Sequence, residues 1–177
     1  MIHTSRHEEN RIMADNPARM GPKRTIKPAP VRRSVEVAAS QAKAFEVFTR
    51  KTSAWWPKKH HIGKAPLAEA VIEPKVNGRW YERGEDGSEC DWGRVLAWNP
   101  PDGITLAWQL TAKFEFDPAF VTEVEVKFVA LAAGRTRVEL EHRLLERYGD
   151  AAETFRGQVD GGWPEILRSF AAAAESA

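Results

Sequence analysis

The chain has 177 residues, one cysteine, 42% apolar and 29% charged residues, and a formal net charge of +1 from 26 Lys+Arg against 25 Asp+Glu. These values fit one domain with a tail, exclude a disulfide framework because Cys90 has no mate, and provide neither the cationic field that nucleic acid requires nor a polybasic membrane anchor. Seven tryptophans depart from ordinary composition; so many large, stiff aromatic surfaces imply a heavy core or the lining of an apolar cavity.

Met1–Pro30 is rich in Pro, Gly, Asn and His, carries no apolar period and reads as a disordered or loosely attached tail, leaving 31–177 as the domain. The tail lacks the apolar stretch of about 7–15 residues that marks a secretory leader, and no run of ~18 apolar residues occurs anywhere. The expectation is a cytoplasmic protein without stable membrane anchoring.

Val31, Val35 and Val37 begin a first strand, and Ser40 offers an N-cap for a helix carrying Ala44, Phe45, Val47 and Phe48. Trp55-Trp56-Pro57 and the cationic Lys58-Lys59-His60-His61 follow, with a short helix allowed before Pro57. Strands are then expected over 70–73, 79–83, 89–98, 104–110, 122–130 and 136–142, separated by turn residues such as Asp86-Gly87 and Gly134. From Asp150 the apolar positions Ala151, Ala152, Phe155, Val159, Trp163, Ile166, Leu167 and Phe170 recur at three and four, which predicts a helix of about 25 residues. Gly161, Gly162 and Pro164 predict a kink or short break in it, with Trp163 turned toward the sheet.

One helix with an apolar stripe needs a large surface to cover it, and the only one available is the concave side of a strongly curved sheet. The fold class is therefore α+β: a curved antiparallel sheet of about seven strands wrapped around a long C-terminal helix, with room for a cavity between them. Val31 to Phe48, Trp55-Trp56-Pro57, Gly78-Arg79-Trp80-Tyr81-Glu82, Trp92-Gly93-Arg94-Val95, Asn99-Pro100-Pro101, Leu106-Ala107-Trp108 and Gly161-Gly162-Trp163-Pro164 together resemble the bacterial relatives of the activator of the heat-shock-protein-ninety ATPase. That group belongs to the START-related, helix-grip (SRPBCC) superfamily. The resemblance implies a helix-grip domain over about Val31–Ala174 and a range of activities in which lipid carriers, aromatic cyclases and co-chaperones share one fold.

Period-two alternation places Trp80 and Glu82 on one strand face, Trp92 and Arg94 on one face of the next, and Trp108 on the strand after. With Trp163 from the helix and His142 near a strand end, these seven residues are the candidate ligand-binding set, Glu82 pairing with Arg94 and His142 poised to contact ligand. Trp55 and Trp56 are assigned to the cavity entrance. Adjacent histidines diverge, and Cys90 and His142 are the only further ligands for His60-His61, so no metal site is expected. No nucleophile elbow or phosphate loop occurs, and no cofactor is expected. The carboxylate pairs Glu123/Glu125 and Glu139/Glu141 read as a solvated face. The leading expectation is a non-enzymatic binder of a small hydrophobic or aromatic molecule. Its alternatives are a cyclase or hydrolase using Glu82, Arg94 and His142, and a module that docks on a chaperone; a second copy of the chain is a further candidate partner.

Overall fold

Ser40 caps the first helix as its position suggests, its hydroxyl accepting from the Lys43 backbone N–H at 3.2 Å. The computed structural model describes residues 27–177, so the expected tail lies almost wholly outside the described residues. In chain order the elements are β1 (Val31–Val37), α1 (Gln41–Arg50), α2 (Thr52–Trp55), β2 (Leu67–Ile72), β3 (Arg79–Gly84), β4 (Glu89–Asn99), β5 (Gly103–Trp108), β6 (Thr122–Ala132), β7 (Arg135–Arg143), a 3₁₀ turn (Leu145–Ala151) and α3 (Ala152–Ser176). The seven strands form one antiparallel sheet in the order β1-β7-β6-β5-β4-β3-β2. Only the first and last strands hydrogen-bond out of chain order, because β1 pairs with β7 and so lies at the edge far from β2.

The inner face of this curled sheet and the stripe Phe155, Val159, Trp163, Ile166, Leu167 and Phe170 of α3 bury one another. Phe45 and Phe48 of α1 close one end, meeting Phe128 and Phe170 at ring distances of 5.1 to 5.8 Å. The outer face is charged. Arg79 bridges Asp91 and Glu89, and Arg143 bridges Glu123 and Glu141, which explains the paired carboxylates as members of solvent-side ladders.

Two bulges in β4 alter the expected alternation. Trp80 faces Gly93 while Tyr81 faces Asp91, so Trp92 is an extra residue; Leu96 is extra in the same way between Val95 and Ala97. A bulge reverses the side-chain phase beyond it. Trp92 and Gly93 therefore both turn inward, Val95 follows, and Arg94 is carried to the exposed outer face opposite Arg79. The placement of Arg94 beside Glu82 is thus corrected by a register shift that periodicity alone does not reveal. Gly93 is required for it, since a Cβ there would sit 1.7 Å from the Ala107 carbonyl oxygen.

The expected break at Pro164 is absent: α3 runs unbroken from Ala152 to Ser176. Proline removes the N–H that would bond the carbonyl of Asp160. Arg33 of β1 replaces that donor, its Nη2 lying 3.3 Å from the Asp160 carbonyl while its Nε donates to the Asp160 carboxylate at 3.0 Å. Arg33→Met is expected to lower stability by about 1 kcal/mol, and by roughly half as much in a Pro164→Ala background, where a backbone N–H returns. Urea titrations of the four proteins in a double-mutant cycle measure this coupling.

Candidate functional site

The tryptophans divide into two environments. Trp55 is 4% exposed, donates its indole N–H to the Val47 carbonyl and packs between Phe48 and Phe170, so it belongs to the solid core and not to an entrance. Trp98 packs edge-on against Phe45 at 5.1 Å. The other five, Trp56, Trp80, Trp92, Trp108 and Trp163, form one cluster with ring distances between 5.1 and 6.4 Å. Gly93 contributes to this arrangement because it is the register partner of both Trp80 and Trp108, whose rings approach to 5.8 Å on the inner face.

Beside the cluster lies a cavity of about 300 Å³, lined on the sheet side by Trp92 and Trp108, on the helix side by Val159, Trp163 and Ile166, and on the loop side by Trp56 and Ile62. Lys59, Phe114 and Gln158 are its exposed rim. Of the expected set, Trp92, Trp108 and Trp163 line this space. Trp80, Glu82 and His142 stand behind that wall, and Arg94 is outside the sheet. Trp56 belongs to the wall itself. The indole nitrogens of Trp80 and Trp108 are buried without a hydrogen-bond partner among the described residues, while the Tyr148 hydroxyl donates to the Leu110 carbonyl at 2.8 Å.

Glu82 is 2% exposed and has no guanidinium beside it. Its Oε1 accepts from the backbone N–H groups of Ile62 and Gly63 at 2.7 Å each and from the Trp92 indole at 3.2 Å. Three donors converging on one oxygen offset the cost of burying the carboxylate, and they fasten the segment after α2 to the sheet. His61 adds its Nδ1 at 3.8 Å from the other oxygen. The role of Glu82 is to anchor the loop that roofs the cavity.

His142 is fully buried on β7. The Trp163 indole donates to its Nδ1 at 3.4 Å, and an indole N–H cannot accept, so the ring proton sits on Nε2 and is donated to Thr122 Oγ1 at 2.9 Å. Desolvation lowers its pKa from 6.5 to about 3. A neutral imidazole with both nitrogens engaged is a strut behind Trp163 and has no acid–base function near neutrality. Glu82, Arg94 and His142 therefore do not converge on a common point.

Sequence reasoning missed the residues at the opening. His60 and His61 line the cavity, although the sequence offers them only as metal ligands and argues against that role. His60 Nε2 lies 3.2 Å from Glu165 Oε2, and Lys59 Nζ lies 2.8 Å from the same oxygen. Lys59 foremost, then His60, holds the Glu165 carboxyl below the usual carboxylate range. Glu165 follows Gly162 by three positions on α3, a spacing that brings both to the helix face below the roof loop. Among the described residues no three His, Cys, Asp or Glu side chains are grouped to hold a metal ion, and no helix is long and apolar enough to cross a membrane.

The family model described as "Activator of Hsp90 ATPase homolog 1-like protein" matches residues 38–175. Among solved structures the chain is similar to an anthrahydroquino-gamma-pyrone synthase, Txn09, complexed with SUM. It shares 41% identity with that protein over 83% of this chain and 97% of the other, with a TM-score of 0.60. It is 32% identical to the self-sacrificing resistance protein CalC from Micromonospora echinospora, over 83% of this chain and 94% of that one, with a TM-score of 0.62. The Aha1 dimer from Colwellia psychrerythraea shares the fold at 16% identity, covering 84% and 97% of the two chains with a TM-score of 0.57. A search of curated proteins finds no match.

The burial of neutral His142 has a pH consequence. Its folded pKa is depressed, so below pH 6.5 the unfolded chain binds the proton that the folded chain refuses, and stability falls as pH drops from 6.5 toward about 3. Between pH 6.5 and about pH 5 this group is expected to remove about 1.6 kcal/mol, its slope rising toward roughly 1.4 kcal/mol per pH unit as the unfolded imidazole becomes fully protonated. Urea midpoints should show that slope in the wild type, and His142→Gln should flatten it.

Proposed function

We propose that this chain, which belongs to the Activator of Hsp90 ATPase homolog 1-like family, encloses one small aromatic or otherwise hydrophobic molecule between its sheet and α3. The observation that carries the reading is the unfilled space itself. Indoles left facing open space forgo burial worth about 25 cal/mol per Å² of apolar surface, so packing for stability alone would favour closing it. The core around Phe48, Trp55 and Phe170 is solid, yet the neighbouring cluster of tryptophans borders an opening of about 300 Å³. A volume near the low end of ligand pockets suits a molecule of two or three fused rings.

Three further features support it. Indole walls offer flat, polarisable surface for stacking and edge-on contact with rings. The polar groups His60, His61 and Gln158 gather on the loop and helix side, where they would orient the ligand's polar edge. Two relatives above 30% identity are named as an anthrahydroquino-gamma-pyrone synthase complexed with SUM and as a self-sacrificing resistance protein, activities that a shared cavity would serve in different ways. A chaperone-docking module would instead present an apolar patch, whereas the exposed large apolar residues Val76, Phe114, Phe116 and Leu131 fall in three separate stretches of chain.

Native mass spectrometry of protein isolated from its own host is expected to show an adduct of small-molecule mass, lost on mild activation. Gly162→Phe places a ring in the cavity from a helix position where a Cβ meets only the His60 ring at 3.8 Å. This variant should fold with equal or greater thermal stability and lose the adduct. Retention of the adduct by folded Gly162→Phe would place the ligand elsewhere.

A further inference from the structure

The cavity contains a carboxylate-backed imidazole that neither the fold nor simple enclosure of a ligand requires. His60 lines the cavity next to Gly162, on a main chain fixed by the Trp56 indole, which donates to its carbonyl at 2.8 Å, and by its own N–H, which donates to the Pro57 carbonyl at 3.0 Å. Glu165 Oε2 faces His60 Nε2 at 3.2 Å, so this nitrogen donates to the carboxylate and the ring is held through it. Among the described residues Nδ1 makes no hydrogen bond. The side chain is 29% exposed, which leaves a route for proton exchange with solvent. An imidazole that lines the cavity, with one nitrogen held by a carboxylate and the other not hydrogen-bonded, has the arrangement general-base catalysis uses.

We propose that His60 is a general base acting on the molecule in the cavity, with Glu165 as its positioning residue. The substrate class is an aromatic compound with an acidic proton, either a phenolic O–H or a C–H adjacent to a carbonyl or ring heteroatom. This assignment rests on the cavity being a ligand site. In the step, Nδ1 forms a bond to the proton while the O–H or C–H bond breaks and leaves its electron pair on the ligand as a phenolate or enolate. Glu165 stabilises the resulting imidazolium, and the proton then returns to the product or leaves to water. Nothing is oxidised or reduced. The charged and titratable groups around His60 are Lys59 from the same loop, Glu165 from α3, His61 beside it and, 3.8 Å beyond His61, Glu82 from β3.

The probe is 5-nitrobenzisoxazole, whose ring C–H is removed by a base as its N–O bond breaks to give a coloured cyanophenolate. Wild-type protein is expected to bind it, seen as quenched tryptophan fluorescence, and to accelerate its opening. His60→Gln should keep the quenching and lose on the order of 10²-fold in rate. Glu165→Gln should keep the quenching and lose much of the rate, because the imidazolium formed in the step loses its anionic partner, and Glu165→Asp, which keeps the charge, should recover part of it. Wild-type protein that binds the probe without accelerating its opening, or His60→Gln that keeps the rate, overturns the assignment. Absence of quenching in the wild type overturns the binding reading and this assignment with it.

Discussion

The site depends on one residue without a side chain. Gly93 lets β4 pass so close to β5 that no Cβ fits, and the bulge made with Trp92 reverses the inward and outward sense of the strand beyond it. In consequence Trp92 faces inward on one side of the bulge and Val95 on the other, Arg94 is expelled to the charged face, and Trp80 and Trp108 approach one another on either side of the glycine. Without that reversal a guanidinium would project among the indoles, where an unpaired charge is strongly unfavourable.

Two buried polar groups then support the aromatic wall from behind. Glu82 collects the N–H groups of Ile62, Gly63 and Trp92, tying the roof loop to the tryptophan beneath it. His142 receives the Trp163 indole and passes its own proton to Thr122. In both cases a group with catalytic potential is used up by hydrogen bonds to the scaffold, and the chemistry available to a ligand moves to the opening. There His60 rests against Glu165 of the same helix that supplies Trp163 and the open space at Gly162. The helix runs through Pro164 because Arg33 reaches from β1 to the carbonyl the proline leaves without a donor.

Alternation and three-four periodicity disclose the seven strands, the long helix and the inward turn of Trp163, because these follow from which residues avoid water. What they cannot disclose is a change of phase in mid-strand. Arg94 is in step with Trp92 by counting, and only the pairing with β3, where Trp80 faces Gly93 and Tyr81 faces Asp91, makes Trp92 the extra residue. Trp55 and Trp56 look equivalent in the chain, yet the end of α2 sends one into the core and the other to the cavity. His60 and Glu165 are 105 residues apart, and only the docking of the roof loop on α3 brings them together.

One group of tryptophans lines a cavity, while Trp55 and Trp98 pack against α1 away from it. Titrating ¹⁵N-labelled protein with 2-naphthol, while following the indole N–H resonances by NMR, tests this directly. The signals of Trp56, Trp92, Trp108 and Trp163 are expected to shift together with saturation, while those of Trp55 and Trp98 stay fixed. Indole signals that all remain unmoved, or shifts of Trp55 and Trp98 as large as the rest, would contradict this division.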